Sequence, residues 1–326
     1  MKTLFSKDKL IKFYNKYGIL VILIGLIIIC SCLSPVFLSK DNIINLLSQI
    51  AVVTIVSCGM TMLIIAGQTD LSGGSIVALT GCVCVGMFKQ MAGSGLNSVL
   101  AGIFAVGIAV LLGIAVNMMS GAIVAKFNAP AFIVTLAMMN AGRGACYIYT
   151  NGVPIYNIGG IVKLGQGRIA NIIPYSCLIM IGCIAVAWFI LKRTRLGRHI
   201  YAVGGNPEAA TASGISIKKT LILIFLIHGI FIGIAGALFM TRLNSGQPAE
   251  AVGLEFTAIT AAIIGGTSLM GGIGGISGTI VGSVIMGIIT NILQLKSVQS
   301  YYQMIFTGAI IVIAVILDLL TKGKKN

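Results

Sequence analysis

Charge, and negative charge above all, is what this 326-residue sequence has least of. Charged residues make up 9% of it, and the acids are seven: Asp8, Asp41, Asp70, Glu208, Glu250, Glu255 and Asp318. The two histidines, His199 and His228, have no carboxylate close by in sequence. Also missing are a GxxxxGK[ST] phosphate loop, an HExxH helix and a serine elbow with a credible base. Their absence excludes ATP hydrolysis, zinc hydrolysis and acyl transfer by this chain. The glycine-rich run 271–275 is no phosphate cradle, since no Lys-Ser/Thr follows it. Cys82 and Cys84 are two apart, which on a helix points them in different directions. The eight cysteines therefore form neither a metal site nor a disulfide framework and read as small apolar packing residues. No catalytic residue, metal or cofactor is expected.

What the chain has in excess is apolar surface, 57% of its residues. That is more than a water-soluble core can bury, so lipid must solvate it. A helical span takes about 20 apolar residues. Apolar runs fall at 18–33, 46–66, 75–88, 99–125, 131–149, 172–191, 220–240, 257–270, 276–293 and 301–320. The expected fold is all-α: one integral-membrane bundle over 1–326, with about ten transmembrane helices, some short or broken. The run at 18–33 follows a basic stretch, as in a signal peptide, but no small-x-small cleavage pattern ends it, and it reads as a retained first helix.

The net charge of +15 does not point to nucleic acid, because the basic residues sit between apolar runs and line no aromatic-interleaved surface. They set orientation instead. With the N-terminus inside, the basic stretch 1–17, Lys126, the loop 192–219 and the C-terminal lysines all face the cytoplasm. Ten spans then return the C-terminus to that side of the cytoplasmic membrane.

Two short spans adjoin polar, glycine-rich breaks. Residues 67–75 read GQTDLSGGS and residues 265–275 read GGTSLMGGIGG; both contain T-x-L-x-G-G, at 69–74 and 267–272. Irregular backbone at membrane depth needs protein or a water-filled cavity around it, and paired interruptions mark transporter pathways. Each break follows an outside-to-inside helix in this topology, as a parallel repeat would have it. Gln68, Asp70, Ser72, Asn140, Arg143, Thr267 and Ser268 are the candidates for the translocation path or the helix breaks.

An ionised carboxylate at the bilayer centre costs about 2.5–3.5 kcal/mol on insertion scales, so Asp70 requires donors, expected from the amides of residues 72–75. It either caps the following helix or lines the path. Arg143 either snorkels outward beside Tyr147 and Tyr149 or faces a polar cavity with Asn140. With Asp70 it offers the sole charge pair expected inside the bundle. His228 reads as a packing residue. The glycine patterns at 102–107, 229–236 and 278–287 read as helix packing.

The basic loop between the sixth and seventh runs holds Glu208, Ala209, Ala210, Gly214 and Ile215. A short helix closed by a glycine on the cytoplasmic side suits docking of a soluble partner. The sequence there, EAATASG, matches the EAA-x-x-x-G signature of ATP-binding-cassette importer permeases. TDLSGGSIVALTG (69–81), RTRLGRHIYAVGGNPEAATASGI (193–215) and SGQPAEAVGLEFTAITAAIIGGTSLMGGIGGISGT (245–279) resemble the ribose and galactoside type sugar permeases. The first segment departs from that pattern, which has hydrophobic residues where Gly73 and Thr69 stand.

The resemblance implies a homodimeric importer permease for a ribose-like or galactose-like sugar. It implies a separate, often tandem ATPase that binds the ATP and docks on residues 208–215, and an extracytoplasmic sugar-binding protein. The loop 244–256, with Glu250 and Glu255, is a candidate surface for that binding protein. Related permeases carry nucleosides, autoinducer sugars or branched-chain amino acids. An ion-coupled secondary carrier is the competing class.

Overall fold

The computed structural model describes residues 7–322, and side chains over 18–316. The terminal lysines used in the orientation argument, Lys2 to Lys16 and Lys322 to Lys325, lie outside the described side chains.

The chain folds as α1 (Lys7–Leu33), α2 (Lys40–Ile65), α3 (Gly73–Gly93), α4 (Ser98–Phe127) and α5 (Ala131–Thr150). A 3-10 turn (Gly159–Ile161), the one-turn α6 (Val162–Gln166) and a hairpin of β1 (Arg168–Ile169) and β2 (Ile173–Pro174) follow. Next come α7 (Tyr175–Arg193), α8 (Arg195–Gly205), α9 (Pro207–Ala212), α10 (Ile217–Leu243), α11 (Leu254–Ile264), α12 (Ile276–Leu295) and α13 (Ser300–Lys322). Among the described residues seven helices are long and apolar enough to cross a membrane, and shorter apolar helices lie at Gly18–Leu33, Leu254–Ile264 and Ser300–Ile316. All ten apolar runs thus hold a helix, with two corrections: the sixth, 172–191, opens in β2 and is helical only from Tyr175, and the eighth, 257–270, stops at Ile264, its last third belonging to the second break. The short elements between α5 and α7 have no apolar period and were not expected.

Local chemistry sets the helix ends. Ser39 and Asn97 accept from the amides of Asn42 and Val99 and start α2 and α4. Asn128 and Asn244 take left-handed φ of 51° and 57° and close α4 and α10.

Helix α2 is the axis of the bundle. Every residue from 49 to 66 is buried, as an all-round apolar helix requires, under α7, α10, α11 and α12. Water gives lipid-embedded helices no reason to associate, so close backbone approach must do the work. Where α4 meets α10, a Cβ on Gly113 would strike Gly229 O, and one on Gly233 would lie 2.5 Å from Val110 Cα. Gly282 abuts Ala261 of α11 and Gly278 abuts Gly265 just beyond it in the same way. Gly102 and Gly107, expected to pack, have open space where a Cβ would sit, which corrects that reading within the chain. Cys32 is likewise exposed while the other seven cysteines are buried.

Candidate functional site

Between α2 and α3 the chain turns at Gly67, φ +75°, and descends through Asp70 and Ser72. Asp70 is fully buried. Its Oδ1 accepts from the Ser72 amide at 2.7 Å and the Ser72 hydroxyl at 2.6 Å, and Thr135 Oγ1 accepts from the Leu71 amide at 3.0 Å. Of the expected amide donors, Ser72 is thus in place. Ser72 stands at the N-cap of α3, but its hydroxyl is committed to Asp70 and caps nothing. The carboxylate beside α3's N-terminus is Glu255 from α11, packed against Gly74 so closely that any side chain there would collide with it.

The second carboxylate oxygen of Asp70 lies 3.1 Å from His228 Nε2 on α10, and both side chains have no exposure. His228 fits because residue 59 of α2 is glycine; a Cβ there would run into the imidazole. The reading of His228 as a packing residue therefore missed its partner, which is far away in sequence. Asp70 does not pair with Arg143.

Arg143 does not face a cavity with Asn140. Its guanidinium donates to the carbonyls of Pro248 and, at 2.8 Å, Glu250, while Asn140 is exposed and donates to Leu136 O at 3.3 Å. The bonded carbonyls explain this. Helix α11 has 11 residues, about 16 Å at 1.5 Å per residue, roughly half of a hydrocarbon core about 30 Å thick. The segment 244–253 before it lacks helical hydrogen bonds, and Arg143 satisfies two of its carbonyls. Gly246 and Ile155 exchange two more bonds, at 2.8 and 2.9 Å. Glu250 stays exposed, but Glu255 is only 4% exposed, so it is no part of a docking surface on the loop.

The second break, 265–275, carries left-handed glycines at Gly266, Gly271 and Gly272, with φ of 87°, 84° and 72°. Thr267 and Ser268 are buried in it, and Ser268 Oγ and O accept from the amides of Met270 and Gly271. The T-x-L-x-G-G match does not extend to conformation: Gly73 and Gly74 open α3, whereas Gly271 and Gly272 are loop. The second break nonetheless reaches the end of α2, just before the first, where the Gly272 amide donates to Ile65 O 2.8 Å away. Gln68 is half-buried beside them.

The expected docking helix is α9. Asn206 accepts from the Ala209 amide at 2.9 Å, Pro207 takes the first helical position, and Glu208 lies in the first turn. Gly214, φ +78°, donates to Thr211 O, and Ile215 donates to Ala210 O at 3.0 Å, closing the helix. Glu208, Ala209 and Gly214 are exposed, Ile215 is half-buried and Ala210 is buried. Helix α8 anchors this end: Gly197, Ile200 and Val203 face the bundle, and Tyr201 Oη donates to Gly274 O at 2.9 Å. Burial pushes the Tyr201 phenol above its ordinary pKa, which keeps it a donor. A cleft of about 330 Å³ opens between Trp188, Lys192, Tyr201 and the second break.

The family described as branched-chain amino acid transport system / permease component matches residues 42–315. The ribose import permease of Haemophilus influenzae is 40% identical over 98% of this chain and 97% of its own length. That of Bacillus subtilis is 39% identical over 93% and 92%, and the L-arabinose permease of Azospirillum brasilense 33% over 96% and 90%. No solved structure matches the chain. A match across most of the sequence, together with helices that cross the membrane many times, means that this multi-pass membrane protein belongs to the branched-chain amino acid transport system / permease component family.

Proposed function

We propose that this chain is the membrane-spanning subunit of an ATP-binding-cassette importer for a monosaccharide, ribose-like first. A separate ATPase, often tandem in such systems, would drive it; an extracytoplasmic binding protein would deliver the sugar; and a second copy would complete the pathway. The observation that carries this reading is α9: a helix capped at both ends, exposed along Glu208 and Ala209, held on an anchored α8. The names of the relatives, ribose and L-arabinose permeases, support the cargo class. On this reading both termini and α9 lie in the cytoplasm, which the basic residues between the apolar runs support. The candidates Gln68, Asp70, Ser72, Thr267 and Ser268 act as the moving breaks, not as a sugar-contacting lining, because all but Gln68 are buried.

The reading is tested with the permease, ATPase and binding protein reconstituted together. Glu208→Lys is expected to lower ATP-driven uptake about ten-fold, the effect of losing roughly 1.4 kcal/mol at an interface anchor. Gly214→Val forces a β-branched residue into left-handed backbone, a cost of about 1–2 kcal/mol, and should do the same while leaving membrane insertion normal. Wild-type uptake in both variants removes the docking role. A second prediction concerns orientation: an impermeant thiol reagent should label Ser213→Cys only from the cytoplasmic side, and labelling from outside overturns the topology.

The buried Asp70–His228 pair is the observation that favours an ion-coupled carrier instead. A protonophore applied while ATP is held constant separates the two. Uptake is expected to persist, and its collapse would establish the carrier.

A further inference from the structure

Helix α8 ends against backbone, not side chains. A Cβ on Gly204 would collide with Ile65 O at the end of α2 and would lie 2.8 Å from the Gly272 nitrogen in the second break. From the other side, a Cβ on Gly271 would lie 2.6 Å from Gly204 O. Two hydrogen bonds cross the same point: Gly272 N to Ile65 O at 2.8 Å and Tyr201 Oη to Gly274 O at 2.9 Å. Three chain segments therefore touch main chain to main chain, with no flexible side chain to absorb a displacement. Asn206 alone separates α8 from α9, closing the first at Ala202 O and capping the second at Ala209 N. On the far side, Ile65 is followed by Gly67 and the buried Asp70.

We propose that Gly204 and Tyr201 are positioning residues of a joint that carries displacement of α9 to both helix breaks at once. Gly204 sets the distance and the Tyr201 hydroxyl sets the angle. A push on α9 turns α8 as a lever about this contact, because packed backbone is bistable and does not deform continuously. The proposal rests on the permease reading and adds the residues through which the motor would act.

The test measures sugar imported per ATP hydrolysed in the complete reconstituted complex. Tyr201→Phe deletes one hydrogen bond and keeps the ring; it is expected to lower that ratio about five-fold, with ATPase copurification and sugar KM unchanged. Gly204→Ala should lower it about ten-fold or more, since the methyl group meets main chain. Gly205→Ala is the matched control, because a Cβ there meets open space, and it should behave as wild type. If Gly204→Ala fails to accumulate, Tyr201→Phe decides alone. A wild-type ratio in Tyr201→Phe, or equal losses in Gly204→Ala and Gly205→Ala, overturns the joint. Absence of ATP-driven uptake in the unmodified complex sinks the permease reading itself, and the joint with it.

Discussion

Asp70→Ala is expected to lower the stability of the detergent-solubilised protein by about 1–3 kcal/mol, the usual cost of leaving a buried polar group without its partner. The substitution strands His228 Nε2 at zero exposure and releases the Ser72 amide and hydroxyl together. His228 sits over Gly59, which has no side chain to replace the lost carboxylate. Removing both members by Asp70→Ala with His228→Leu leaves no orphaned imidazole, so the double variant should be more stable than the sum of the single losses by about 1–3 kcal/mol. Thermal unfolding of the four proteins closes the cycle. Additive losses would mean that the 3.1 Å approach carries no energy and that Asp70 acts through Ser72 alone.

Which parts of this arrangement were legible beforehand follows from what a linear pattern records. Apolar period and charge spacing are local, and the ten runs, the two glycine-rich interruptions and the short helix expected within 208–215, observed at 207–212, all came from them. Glycine at 214 announced a left-handed helix end because few other residues accept φ of +78°. Pairings between distant segments leave no such trace. Asp70 with His228, Arg143 with the carbonyls of 248 and 250, and Glu255 with Gly74 each join segments whose proximity is decided by the packing of whole helices. A signal for Arg143 was present nonetheless: a non-helical stretch before a half-length helix must find donors for its carbonyls, and the lone arginine within the fifth run was the available source. The repeated T-x-L-x-G-G misled for the converse reason. Identical letters specify identical backbone only in identical surroundings, and α3 starts on the pair of glycines that α12 leaves in the loop.

Glycine spacing illustrates the same limit with a measurable sign. In an exposed helix interior, Gly→Ala stabilises by about 1 kcal/mol through propensity alone. Gly102→Ala and Gly107→Ala on α4 should show that gain or no change, because the added methyl groups meet open space. Gly113→Ala, further along the same element, should reverse it. The methyl would overlap Gly229 O and lie 3.0 Å from the Gly233 nitrogen, so α4 and α10 must separate along a contact that side chains do not bridge. Overpacking of this kind costs about 1–3 kcal/mol, and Gly113→Leu, which cannot be absorbed by a small shift, should prevent accumulation of folded protein. Because membrane helices gain little from leaving lipid, lost van der Waals contact at this seam has no hydrophobic term to offset it. Melting temperatures of Gly107→Ala and Gly113→Ala should therefore move in opposite directions, and a shared direction would show that propensity, not the α4–α10 backbone contact, governs this pair of helices.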